Sequence, residues 1–211
     1  DKLVRSLEAE KASSGPRVLH LKTVKKKLDY WMKKFNIQHS TFNLEPSTAS
    51  RYQDVFAEKL IDLAEADARI VAISPAMLSG SSLIKFQEKF PERCFDTGIT
   101  EQHAVTFAAG LAADGMKPIV HLYSTFAQRA FDQIIHDVAL QNLPVVFALD
   151  RAGLVGEDGA THHGAFDLSF LNSVPNLQIL APMNAAELRG MLAYAFGQSG
   201  PVVVRFPRGG E

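Results

Sequence analysis

Cysteine is almost missing from this sequence. Cys94 stands alone, so no internal disulfide framework can form, a composition that fits a reducing compartment. Surplus charge of either sign is missing too: the formal net charge of -1 argues against nonspecific binding to nucleic acid or to an anionic membrane. No apolar run approaches the length of a membrane span, and Asp1-Lys2-Leu3-Val4-Arg5 is no signal peptide. The first residue is not Met, which leads us to expect a processed chain or an excerpt. Core material, by contrast, is ample. Hydrophobic residues make up 46% of the 211, enough for one domain plus an appendage.

The appendage lies at the start. Residues 1–13 read as the tail of a helix, Gly15-Pro16 breaks it, and 17–23 alternates like a short strand with no partner nearby. Residues 1–23 are therefore expected to end an upstream domain. Residues 24–50 form a linker in which Lys25-Lys26-Lys27 and Lys33-Lys34 bracket Tyr30, Trp31 and Met32. Such a run is too short, in a chain that is not basic, to be read as a nucleic-acid patch.

From residue 51 onward apolar strands alternate with helices. Helices are expected at 52–64, 83–89, 101–113, 125–139 and 184–196, with strands at 69–74, 93–96, 118–123, 145–150, 177–180 and 202–206. That alternation predicts an α/β fold of three layers, a mainly parallel twisted sheet covered on both faces. Ligands in such sheets collect at the carboxyl ends of the strands. Here those ends hold the segments 74–82, 96–101, 121–129 and 150–163, with Arg205 and Arg208 after the last strand.

Glu101 is the most telling of these residues. It opens the run Glu101-Gln102-His103-Ala104-Val105-Thr106-Phe107-Ala108-Ala109-Gly110-Leu111-Ala112, whose small and apolar residues fall near helical spacing. The helix start favours its anion and burial favours its neutral form, so such a group can share a proton with a ligand nitrogen. Pattern alone favours a first-turn Glu that only complements the helix dipole. The loop from Arg151 to Gly164 combines glycines, carboxylates and paired imidazoles, and loops of that length are usually functional. Bland alternatives stay open for each residue. Phe126 suits core packing, Arg129 and Arg151 suit ion pairs with Asp132 or Asp150, and His162-His163 lacks the spacing of a helical metal site.

These same segments resemble the 1-deoxy-D-xylulose-5-phosphate synthase family of transketolase-like enzymes. The likeness runs through Glu101 to Ala112, Tyr123-Ser124-Thr125-Phe126 with Gln128-Arg129-Ala130, and Asp150-Arg151-Ala152-Gly153-Leu154-Val155-Gly156 with Asp158-Gly159. It continues through Thr161-His162, Gly164-Ala165-Phe166-Asp167 and Arg205-Phe206-Pro207-Arg208-Gly209. The resemblance implies that residues 51–211 are a pyrimidine-binding domain and residues 1–23 the end of a diphosphate-binding domain. It implies thiamin diphosphate as cofactor, with Mg2+ held by the missing domain, and pyruvate and D-glyceraldehyde 3-phosphate as substrates for the entry step of non-mevalonate isoprenoid synthesis.

By the same resemblance the counterpart of Glu101 hydrogen-bonds N1′ of the aminopyrimidine and favours the imino tautomer that removes the thiazolium C2 proton. Phe126 would stack on the pyrimidine with Arg129 beside it. Tyr123, Arg151 and Arg208 would line the substrate site, and Asp158 and His162 would lie near the reacting carbons. His39 stands at about the distance of a further active-site histidine, with Pro46 following. The family also implies a homodimer, in the bacterial cytoplasm or in plastids.

Two departures bear on activity. The family's glycine-containing lysine motif appears as Thr23-Val24-Lys25-Lys26-Lys27-Leu28, and no Gly-Asp-Gly run with a downstream Asn, the magnesium-diphosphate signature, occurs. The chain alone is therefore expected to bind the cofactor poorly and not to turn over. A non-catalytic interaction module of the same fold, or half of another transketolase-like enzyme, is the alternative.

Overall fold

The computed structural model describes residues 51–210, and the expectations for residues 1–50 lie outside them. The described chain runs α1 (Tyr52–Ala66), β1 (Ile70–Ser74), α2 (Ile84–Lys89), β2 (Cys94–Asp96), α3 (Glu101–Ala113) and β3 (Lys117–Tyr123). A composite helix over 126–139 follows, which we label α4. Then come β4 (Val146–Asp150), α5 (Asp167–Leu171), β5 (Gln178–Leu180), α6 (Ala185–Ala195) and β6 (Val202–Arg205).

All strand pairs are parallel, in the order β2-β1-β3-β4-β6-β5. The run of apolar residues in each central strand is explained by burial on both faces. Ile70, Ala72, Ile119, Val146 and Ala148 pack with Phe56, Leu60, Phe86, Leu188, Leu192 and Phe206, so α1, α2 and α6 cover one face. Ile73, Val120, Leu122, Phe147 and Leu149 pack with Ala104, Val105, Ala108, Ile134, Val138 and Leu171, so α3, α4 and α5 cover the other. Each fully buried phenylalanine contributes about 1.5–3 kcal/mol. The three-layer α/β/α architecture agrees with the sequence reading.

The topology places the site. After β1 the chain moves outward to β2, then returns across β1 to β3, so the winding direction reverses between β1 and β3. The loops leaving the two strands diverge there and leave a crevice.

One element differs from expectation. The helix expected at 125–139 is a 3-10 turn at Phe126–Ala130, a short α-helical link at Phe131–Gln133 and a π-helical turn at Ile134–Ala139. The bond from Leu140 N to Ile135 O, five residues back, marks the widened coil. Apolar spacing alone does not separate these coils. The 3-10 turn has a consequence at the crevice, because side chains three residues apart eclipse in it.

Candidate active site

A cavity of about 220 Å³ lies in the crevice between β1 and β3. Pro75, Ala76 and Met77 after β1, Ile99 and Glu101 at the head of α3, and Leu122, Tyr123, Phe126 and Arg129 line it. Asp96 ties two of these walls together, since its Oδ1 accepts from the N–H groups of Ala76 and Gly98, each at 2.9 Å. Ala76 has φ 59° and Gly98 φ 69°, so the carboxylate braces two left-handed turns. Asp96 is not among the site residues read from the sequence; a carboxylate ending a short strand before a glycine turn is the signal that could have found it.

Glu101 is 5% exposed, on the first turn of α3. Arg129 Nη1 donates to its Oε1 at 2.5 Å, and the Arg129 side chain is 52% exposed. The 3-10 turn sets Arg129 over Phe126, its guanidinium 4.6 Å from the ring centre. Arg129 thus pairs with Glu101 rather than with Asp132. Phe126 in turn stacks on Tyr123, with centroids 5.8 Å apart and planes 14° apart. His162 meets both rings edge-on, at 5.3 Å from Phe126 and 6.3 Å from Tyr123.

Tyr123 joins this group to a second one. The Arg151 guanidinium lies 4.1 Å from the centre of the Tyr123 ring, and burial, the larger influence, pushes the phenol above its ordinary pKa although Arg151 opposes it. Asp158 Oδ2 faces two cations, Arg208 Nε at 3.1 Å and Arg151 Nε at 3.5 Å. The carboxylate shows that an anionic oxygen is accommodated between these two guanidiniums.

The loop carrying Asp158 and His162 is closed at its neck. Gly153 and Gly164 exchange backbone hydrogen bonds at 2.9 and 2.8 Å, and His163 Nδ1 accepts from the Val155 N–H at 3.1 Å. A Cβ on Gly164 would fall 2.4 Å from Ser124 Oγ and from the Arg151 carbonyl oxygen, so the neck admits no larger residue. Arg205 does not face the crevice chemistry. It holds Asp167 at 2.8 and 3.2 Å and so pins the start of α5 to β6. Among the described residues no group of three or more His, Cys, Asp or Glu side chains is gathered to hold a metal ion.

The structure therefore brings together Glu101, Tyr123, Phe126, Arg129, Arg151, Asp158, His162 and Arg208, scattered over more than a hundred positions of sequence. His39 lies outside the described residues.

The model of the transketolase pyrimidine-binding domain matches residues 49–210. The chain belongs to the transketolase pyrimidine-binding domain family. It is 51% identical over 219 residues to 1-deoxy-D-xylulose-5-phosphate synthase of Paraburkholderia xenovorans, covering 99% of this chain and 34% of that protein. It is 52% identical over 223 residues to the synthase of Chlorobaculum tepidum, covering 99% and 35%. The chain thus spans about a third of the length of the curated relatives it matches. Among solved structures it resembles a split-gene transketolase described as an inactive beta4 tetramer, with TM-score 0.68 and 30% identity over 76% of this chain and 53% of that one. Transketolase from Leishmania mexicana shares the fold, with TM-score 0.68 at 23% identity over 77% of this chain and 26% of that one.

Proposed function

We propose that this chain supplies the pyrimidine-binding half of a thiamin diphosphate site in an enzyme that condenses pyruvate with D-glyceraldehyde 3-phosphate to 1-deoxy-D-xylulose 5-phosphate and CO2. The observation that carries the reading is the buried Glu101 carboxylate on the wall of an otherwise mostly apolar cavity, beside the Phe126 ring. These residues fit an aminopyrimidine: the apolar lining and the aromatic ring suit a flat heterocycle, and the carboxylate suits a ring nitrogen that can carry a proton. When bound, thiamin diphosphate supplies the nucleophilic carbon and the electron sink that decarboxylation of a 2-oxo acid requires.

The chain's own residues do the rest. Glu101 shares a proton with the pyrimidine nitrogen, and the start of α3 supports its anionic form. Phe126 sets the plane of the ring, and Arg129, half exposed, is free to swing while still balancing the Glu101 charge. Arg208 and Arg151 hold the acceptor phosphate by charge and forked geometry. Tyr123 forms the floor between the two subsites. His162, at the edge of both rings, orients pyruvate and moves a proton at the reacting carbons.

In this reading residues 1–23 end a diphosphate-binding domain, 24–50 link it to the catalytic half, and 51–211 are the pyrimidine domain. The Mg2+ ligands, the diphosphate cradle and a carboxyl-terminal domain come from elsewhere in the assembly, and the working unit is a dimer. The expectation that this chain is silent by itself is in keeping with the split-gene transketolase it resembles, which is described as an inactive beta4 tetramer.

The test is an assay for deoxyxylulose phosphate from pyruvate and glyceraldehyde 3-phosphate, with thiamin diphosphate and Mg2+. It is run on the chain alone and on the chain mixed with separately expressed diphosphate-binding and carboxyl-terminal domains. Product only in the mixture is the expected result. No product in either, from a folded chain, would favour a non-catalytic module.

A further inference from the structure

A buried acid-base pair sits beneath Arg151 and has no part in the site chemistry described above. Asp150 ends β4 and is 1% exposed, and His121, inside β3, is fully buried. His121 Nε2 lies 3.5 Å from Asp150 Oδ2, and neither imidazole nitrogen makes a hydrogen bond among the described residues. The imidazole packs between Phe56, at 5.7 Å, and Tyr123, at 6.0 Å. A buried carboxylate is costly unless it is paired and hydrogen-bonded, so its partners define its role.

Those partners converge on one residue. Asp150 Oδ1 accepts the backbone N–H of Arg151 at 2.6 Å, and Oδ2 accepts Arg151 Nη1. Arg151 has φ 58°, in the left-handed region that a long side chain avoids. The same carboxylate therefore fixes both the strained turn that launches the 152–164 loop and the guanidinium at its base. Gly80 O, at 3.1 Å from Nη1, Gln53 Oε1, at 3.5 Å, and the Tyr123 ring add to the socket.

We propose that Asp150, backed by His121, is a positioning residue that aims Arg151 at the acceptor phosphate. The proposal rests on the phosphate reading of Arg151 and Arg208 given above. Asp150 touches no substrate; it acts through Arg151, by holding its backbone turn and one edge of its guanidinium.

The experiment compares Asp150→Asn, Arg151→Ala, Arg208→Ala and the double variant Asp150→Asn/Arg151→Ala in the complete, cofactor-loaded enzyme. KM and kcat are measured for pyruvate, for D-glyceraldehyde 3-phosphate and for unphosphorylated D-glyceraldehyde. Asp150→Asn is expected to raise KM for the phosphorylated acceptor about tenfold or more, with the pyruvate and D-glyceraldehyde constants within about twofold. In the Arg151→Ala background it should add no further selectivity against the phosphorylated acceptor, because that part of its effect is carried by the guanidinium.

Equal losses for both acceptors in Asp150→Asn, or no loss, while Arg151→Ala and Arg208→Ala remain selective for the phosphorylated one, would overturn the proposal and leave the phosphate reading standing. Equal losses in the two arginine variants would overturn both. Should Asp150→Asn fail to fold, Asp150→Glu carries the same test, since it keeps the charge and displaces the guanidinium by the length of one methylene.

Discussion

Arg129 donates a 2.5 Å hydrogen bond to Glu101 while its guanidinium lies over the Phe126 ring at 4.6 Å. One cation thus engages both groups that a pyrimidine would engage, the carboxylate and the aromatic face. Its own exposure lets it yield either contact. The pairing explains how a nearly buried carboxylate is tolerated in an apolar cavity.

Arg208 is the more exposed of the two cations facing Asp158, and in the proposed function it meets the acceptor phosphate. In the complete enzyme, Arg208→Ala is expected to raise KM for glyceraldehyde 3-phosphate about 10- to 100-fold, the loss of one charge-assisted contact, with the pyruvate KM little changed. Steady-state kinetics with each substrate varied in turn check this. Equal losses for both substrates would count against a phosphate role.

Gly80 is held small by Tyr123. A Cβ at this position would stand 2.3 Å from the Tyr123 hydroxyl oxygen. Gly80→Ala is therefore expected to push the Tyr123 ring away from Arg151 and Phe126, to destabilise the fold by about 1–3 kcal/mol, and to lower kcat/KM. Paired melting curves and kinetics read both effects, and a variant with wild-type values in each would show that the ring is not confined there.

Asp54 on α1 carries a pH dependence of its own. Burial works against its charge, but hydrogen bonds from Arg51, Ser82 and Lys85 outweigh it and lower its pKa to about 2. A depressed carboxylate pKa contributes stability that is complete above the unfolded value and is lost as pH falls from about 4 towards 2. Asp54→Asn is expected to cost about 1 kcal/mol at pH 7, with the two melting temperatures converging in that acid window. Denaturation followed by circular dichroism from pH 7 to pH 2 checks it, and a difference that persists at pH 2 would contradict the assignment.

Much of the fold was legible because each central strand is a short apolar run and each helix has a clear stripe. The strand ends carrying Glu101, Tyr123, Arg151 and Arg208 followed from that reading. Other features were hidden for physical reasons. The 3-10 and π turns of α4 share the apolar spacing of an α-helix, so the stacking of Arg129 on Phe126 needed coordinates. Asp96 and Asp150 look like ordinary strand-end carboxylates; their work lies in the backbone N–H groups of Ala76, Gly98 and Arg151, which no side-chain pattern displays. Arg205 was placed correctly at its strand end, yet it serves Asp167 and the frame of the loop.

The central claim concerns Glu101 as the proton partner of a pyrimidine nitrogen, and hydrogen–deuterium exchange at C2 of thiamin diphosphate tests it most directly. With the chain in the complete enzyme, Glu101→Gln is expected to slow exchange by several orders of magnitude, while circular dichroism shows the fold retained. Exchange at the wild-type rate in a folded Glu101→Gln enzyme would contradict the account.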